Sequence, residues 1–208
     1  IIKPLENSLC VIGNFEGIHI GHVNLLKFAK QIALEYKLPL TILTFEPHNK
    51  VQMKQNYSGR IISFYHKMLK LKELKVDRVL LIRPKDQIFG LKAEDFINKI
   101  LIKKLNTNIL MVGEDFRFAY KRAGTTQDLK DRIFKLIVAP LSKLGDNKYS
   151  SSIVKNYIEN GDLKSINQSL GYNYSIIGKV RRGKQLGRTL GFPTINIKLD
   201  QVLPLKFG

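Results

Sequence analysis

Cysteine is nearly missing: Cys10 is the single thiol in 208 residues, which rules out an internal disulfide and any cysteine-built metal set. It falls inside an apolar stretch and reads as a small buried hydrophobe, in keeping with a reducing, cytoplasmic compartment. Long hydrophobic runs are missing too. No stretch approaches the ~18–20 apolar residues of a membrane span, and the first residues lack a signal-peptide pattern. No tandem repeat or low-complexity run occurs. Acidic residues are scarce, 17 against 35 Lys plus Arg, for a formal charge of +18. Such a field attracts any polyanion. The lysines are nevertheless spread along the chain (Lys27, Lys30, Lys67, Lys70, Lys103, Lys130, Lys164), mostly at positions read as polar helix faces. Only RRGK at 181–184 and YKR at 120–122 are dense. Solvated faces and an anionic small substrate account for the charge without a dedicated nucleic acid. With 44% apolar residues the chain can bury a core, and its length suits one domain plus part of another.

The most informative stretch is VIGNFEGIHIGH at 11–22. Leu9, Cys10, Val11 and Ile12 read as a short buried strand that breaks at Gly13. A loop with Gly17 follows, and from about Gly21 the residues Leu25, Leu26, Ala29, Ile32, Ala33 and Tyr36 recur at helical spacing. Strand, glycine-bearing loop and helix together aim unpaired backbone N–H groups and a partial positive charge at an anion. His19 and His22 sit three residues apart at that junction, so both imidazoles can face one phosphate. Gly13 and Gly17 can take positive φ, and the absent side chain at Gly21 is expected to let a nucleotide approach the backbone.

Downstream, LTILTF at 40–45 reads as a second strand ending in a Glu46-Pro47-His48-Asn49 turn that should line the same crevice. Ser63 reads as the N-cap of a helix to about Lys75, with Phe64, Met68, Leu71 and Leu74 on its apolar face. RVLLIR (78–83), ILMVG (109–113) and FKLIVAP (134–140) read as further strands. Helices at about 93–105 and 126–132 lie between them. This alternation argues for an α/β fold with a doubly wound parallel sheet. Ser150-Ser151-Ser152 caps a helix to about Asn160, with Lys155 one turn in, and a second short helix closes at Gly171. From Tyr172 the texture changes. YSIIGKV looks strand-like, and RRGKQLGRTLGFPTINI is basic, glycine-rich and without helical periodicity. The expected division is 1–171 and 172–208, the second being the start of a β-rich domain whose sheet cannot close before Gly208.

The chain resembles the bacterial bifunctional riboflavin kinase/FMN adenylyltransferases (FAD synthetases) through five segments in order. These are GNFEGIHIGH (13–22), TFEPH (44–48), VGEDFRF (112–118), the serine cluster with its basic residue (150–155) and GRTLGFPTIN (187–196). The resemblance implies a Rossmann-like nucleotidyltransferase module followed by the first part of a riboflavin kinase β-barrel. It implies that His19 and His22 bind ATP phosphates and stabilise transition-state charge. Gly13, Asn14, Phe15, Gly21, Asp115 and Phe116 would form the rest of the nucleotide site, with Ser150, Ser151, Ser152 and Lys155 on the phosphates from the other side. Pro47 and His48 would edge the flavin pocket. Thr194 and Asn196 match the family's Pro-Thr-x-Asn motif, which binds Mg²⁺–nucleotide in the kinase module. ATP and FMN would be substrates with Mg²⁺, riboflavin a substrate of the kinase module, and homo-oligomerisation is left open.

The chain departs from the family pattern at Glu16 (usually Asp), Asn49 (usually Pro), Lys155 (usually Arg) and Ile195 (usually Ala). Lysine at 155 exchanges bidentate phosphate geometry for a point charge. The kinase module's glutamate base would lie beyond Gly208. Two rival readings share the His-Ile-Gly-His signature. An adenylyl- or cytidylyltransferase with another phosphorylated substrate leaves GFPTIN unexplained. A class I aminoacyl-tRNA synthetase would need a late Lys-Met-Ser-Lys-Ser-like loop, for which Lys67-Met68-Leu69-Lys70 is too early and helical. A non-enzymatic nucleic-acid binder rests on net charge alone.

Overall fold

A computed structural model describes residues 6–46, 59–83, 86–140, 143–144 and 147–198. Strands β1 (Ser8–Ile12), β2 (Leu40–Phe45), β3 (Arg78–Ile82), β4 (Thr107–Gly113) and β7 (Lys135–Ala139) form one sheet in the order β3-β2-β1-β4-β7. All four pairings are parallel. Because side chains alternate across a strand, β1 sends Leu9 and Val11 to one face and Cys10 and Ile12 to the other. Both faces are covered, which is why the central strands read as continuous apolar runs. On the first face lie α1 (Ile20–Glu35), α2 (Phe64–Glu73), α4 (Ser151–Asn160) and α5 (Leu163–Leu170), through Leu26, Leu71, Ile158, Ile166 and their neighbours. On the second, Phe96, Ile97, Ile100, Leu101 and Leu105 pack against Leu43, Leu110 and Val112.

The helix expected over 93–105 is a single α turn, α3 (Ala93–Phe96), that continues as a π-helix over Ile97–Ile102. Its apolar set still reaches the core. The segment expected as a helix near 126–132 is only a 3₁₀ turn, Gln127–Leu129. The basic stretch after Phe116 contains a small hairpin, β5 (Arg117–Phe118) with β6 (Gly124–Thr125), and a short pair, β8 (Lys143–Leu144) with β9 (Asn147–Lys148), precedes α4.

Chain order makes β1 the point where the sheet reverses direction. From β1 the chain moves outward through β2 and β3, then returns to place β4 on β1's other side. Crevices for ligands open beyond the carboxyl ends of strands at such a reversal. Here that means the loop after Ile12 and the loop after Gly113. After α5 the strand-like reading of 174–180 gives way to irregular chain until β10 (Lys179–Arg181), which pairs antiparallel with β11 (Asn196–Lys198) across a one-turn helix, α6 (Leu186–Thr189). The reason is local: the Tyr174 N–H donates to Asn167 Oδ1 at 2.7 Å, and Tyr172 is held by the first loop. Thr194 and Asn196 stand exposed on this hairpin segment.

Leu110 is fully buried in β4 beside Cys10. Leu110→Ala is expected to cost about 2–5 kcal/mol in urea denaturation. Leu34→Ala, at a position 68% exposed, should stay within about 0.5 kcal/mol.

Candidate active site

At the reversal point lies a cavity of about 400 Å³, walled by the β1–α1 loop, the end of β2, the loop after β4 and the start of α4. Gly13, Asn14, Phe15, His19, Gly21, His22, Asp115, Phe116, Ser150 and Ser151 all line it. Residues remote in sequence are thus gathered on one wall system. Ser152 is exposed and Lys155 turns to the carbonyl of Gly59; neither is on the cavity wall. Pro47 and His48 lie outside the described residues.

The loop adopts a conformation the glycine pattern did not foretell. Gly17 has φ +71°, as expected, but the other left-handed residues are Phe15 (φ 49°) and Ile18 (φ 42°), not Gly13. Both are fully buried, so packing supports a backbone geometry that L residues otherwise avoid. Gly13 is needed for space: a Cβ there would sit 3.1 Å from the Phe15 ring. Gly21 is likewise filled from inside, since a Cβ would meet the His19 ring and Tyr149 at 3.2 Å. Its missing side chain seats the His19 ring.

Three carbonyls of the loop are held from outside. Asn14 O accepts from Lys67 Nζ at 2.6 Å, Glu16 O from Ser151 Oγ at 3.1 Å, and Gly17 O from Tyr172 Oη at 2.6 Å. The Glu16 carboxylate turns away from the cavity and accepts the Ile61 N–H at 2.8 Å. Burial is the main force on its pKa and pushes it up, against the Ile61 bond and the charges of Lys155, Lys67 and Arg60. Ser151 therefore spends its proton on the loop. Ser150 caps α4 by accepting the Ile153 N–H at 3.3 Å.

The two imidazoles stack with centroids 3.8 Å apart and planes 21° apart, and Phe15 lies 5.2 Å from His22 on its other side. His19 occupies the N-cap position of α1 but makes no side-chain cap bond. The first N–H groups of this 16-residue helix keep their anion-binding capacity. Burial, with the charges of His19 and Lys67, holds His22 well below its ordinary pKa. It is a neutral donor in this state. His22 Nδ1 and Asn14 Oδ1 are buried on the cavity wall and have no hydrogen-bond partner among the described residues. Buried orphans of this kind cost free energy until something satisfies them.

Several wall residues escaped the sequence reading. Phe45, Ile82, Phe96, Phe118 and Ala119 give the cavity an apolar end, with Arg122 also on the wall. Arg122 belongs to the dense YKR run, so its signal was visible. The strand residues had no signal, because core and cavity wall use the same side chains. Lys67, read as a solvated lysine on a polar helix face, is only 7% exposed. It and His66 are buried in α2 because the helix backs onto the loop.

Fold and cavity together define an α/β protein whose first helix starts uncapped beside a stacked imidazole pair. The profile of the FAD synthetase family matches residues 1–153, and that of the riboflavin kinase family residues 170–208. The bifunctional riboflavin kinase/FMN adenylyltransferase of Buchnera aphidicola subsp. Acyrthosiphon pisum is 35% identical over 214 residues, covering 100% of this chain and 68% of its own length. Its counterpart in Escherichia coli K12 is 33% identical, covering 98% and 67%. A crystal structure described as a macrolide-efflux protein from Streptococcus pneumoniae superposes with TM-score 0.84 at 28% identity, covering 99% of this chain and 69% of that one. Among the described residues here, no helix is long and apolar enough to cross a membrane. The chain belongs to the bifunctional riboflavin kinase/FMN adenylyltransferase family.

The lowered pKa of His22 has a definite sign. Between its ordinary 6.5 and the lower folded value, the unfolded chain binds a proton that the folded chain does not. The stability tied to neutral His22 is therefore complete above about pH 6.5 and lost progressively below it. An NMR titration should show the His22 ring still neutral at pH 6, where an exposed histidine is mostly protonated.

Proposed function

We propose that this chain makes FAD by transferring the adenylyl group of ATP to FMN, with release of pyrophosphate. What carries the reading is the stacked His19–His22 pair on the open start of α1, with a buried ring nitrogen awaiting a partner. The relatives' name supplies the substrates: each is called a riboflavin kinase/FMN adenylyltransferase. An FMN phosphate oxygen bonds to the α-phosphorus of ATP, the α–β bridging P–O bond breaks, and pyrophosphate leaves with that electron pair. No protein nucleophile is required. The barrier is lowered by holding the reactants in line and by stabilising charge on the phosphate oxygens.

In this mechanism His19, His22 and the first N–H groups of α1 meet the phosphates, while Gly13, Asn14, Phe15, Gly21, Asp115 and Phe116 frame the nucleotide. Ser150 closes the phosphate end from α4. Ser151 keeps the loop in place, and Ser152 and Lys155 act only if α4 moves toward the ligand. The apolar end with Phe45, Phe96 and Phe118 suits a flat aromatic ring. Among the described residues no three His, Cys, Asp or Glu side chains gather as a metal cage. The cavity wall offers the Asp115 carboxylate, while that of Glu16 is turned away to the Ile61 N–H. A single wall carboxylate fits Mg²⁺ that would be held chiefly by the substrate phosphates and would neutralise charge on their oxygens. Residues 1–171 form the adenylyl-transfer unit and 172–208 the opening of the kinase unit, in which Thr194 and Asn196 bind Mg²⁺–nucleotide. A cytoplasmic setting goes with these substrates.

Incubation of the purified chain with Mg²⁺, ATP and FMN, followed by chromatographic separation of flavins, should yield FAD and pyrophosphate. His19→Ala and His22→Ala should each raise the barrier by roughly 2–4 kcal/mol, the scale of one preorganised donor. Turnover within tenfold of the unmodified enzyme would count against the assignment.

A further inference from the structure

Lys67 has little access to water, yet it carries an ammonium at the back of the nucleotide loop. Its Nζ donates to Asn14 O at 2.6 Å and to Thr44 Oγ1 at 2.8 Å. The Thr44 hydroxyl itself donates to Asn14 O at 3.2 Å. Thr44 is fully buried near the end of β2, so one ammonium ties the β1 loop to the neighbouring strand. The charged groups facing it are Glu16 from the loop, Glu46 from the end of β2 and Arg60 ahead of α2, with His22 across the loop. Arg60 and Glu46 already pair with each other. A methionine would fill the same space without the cost of burying a charge. The charge therefore needs a use.

We propose that Lys67 is a positioning residue for nucleotide binding: its ammonium draws the Asn14 carbonyl back toward β2, leaving the Asn14 amide and the following N–H groups presented to the cavity. The inference rests on reading this cavity as the adenylyl-transfer site. Asn14 lines the cavity and its side-chain oxygen is one of the buried orphans there. A loop allowed to relax at Asn14 would move both.

Burial brings the Lys67 ammonium down to about 8, against 10.5 in a free chain, with Glu16 and Glu46 partly opposing the fall. Above pH 8 the clamp loses its proton and nucleotide affinity falls. Folding stability moves the other way. From about 8 to 10.5 the unfolded chain holds a proton the folded chain has released, so this group makes the folded state more stable as pH rises. A purely structural lysine would not separate the two trends. Cys10, pushed up to about 12, and Tyr172, pushed upward by burial, do not titrate near pH 8.

The test is calorimetric titration of the whole chain with Mg²⁺–ATP from pH 6.5 to 9.5, with thermal denaturation at each pH. Loss of a hydrogen bond from a charged donor should weaken binding by roughly tenfold or more. The unmodified chain should show that decline above pH 8 without a matching loss of thermal stability. Lys67→Met should bind weakly at every pH, and Lys67→Arg, which keeps its charge, should bind better than Lys67→Met with no alkaline decline. Thr44→Val, which removes one acceptor, should start its decline at lower pH. The inference is overturned if Lys67→Met binds within twofold of the unmodified chain at pH 7.5, or if it keeps the same alkaline decline. Should Lys67→Met not fold, an unmodified profile flat to pH 9.5 overturns it equally. A chain that binds ATP with the expected profile but makes no FAD removes the adenylyl-transfer reading and leaves Lys67 in its role. A chain that does not bind ATP removes both.

Discussion

The site depends on hydrogen bonds made at the back of one loop. A chain running from a buried strand into a helix must turn its peptide groups somewhere, and a peptide plane that presents its N–H to a ligand presents its carbonyl to the protein. In residues 14–17 three carbonyls are taken by a lysine of α2, a serine of α4 and a tyrosine after α5. Buried carbonyls without such partners would draw the loop into another conformation. The positive φ angles at Phe15 and Ile18 persist because these anchors and the packing of both side chains over-determine the turn.

This arrangement links distant parts of the chain to one small surface. Tyr172 lies within the part matched by the riboflavin kinase family, yet its hydroxyl meets the carbonyl of Gly17. Its ring lies under the Lys70 ammonium, 4.4 Å away, and edge-on to His66. Ser151 couples the first turn of α4 to the same loop. The electrostatics follow the same economy. Burial, with the second imidazole and a cationic lysine beside it, keeps the His22 ring uncharged, so the polar end of the cavity combines a neutral imidazole with a helix start.

Much of this was legible in one dimension. Short apolar runs alternating with amphipathic helices announced a doubly wound sheet, and the Ser63 and Ser150 caps fell where expected. His19 and His22 declared themselves because a three-residue spacing across a loop–helix junction lets both rings face one side. The glycine roles did not. Whether Gly13 and Gly21 serve a turn or a side chain's seat depends on where the Phe15 and His19 rings settle, and that is decided by packing. Lys67 was misread for a related reason: the helical period places it on a face, but only the position of the loop behind that face makes it buried.

Local sequence by itself determined the elements, their order, and the pairing of a helix start with two imidazoles, since these rest on backbone periodicity and short-range geometry. Tertiary structure alone decided which loop carbonyls are held, which lysine is buried, and which apolar strand ends become cavity wall rather than core. Those properties belong to contacts between residues some thirty to one hundred and fifty-five positions apart. No local pattern encodes the distance between two such side chains.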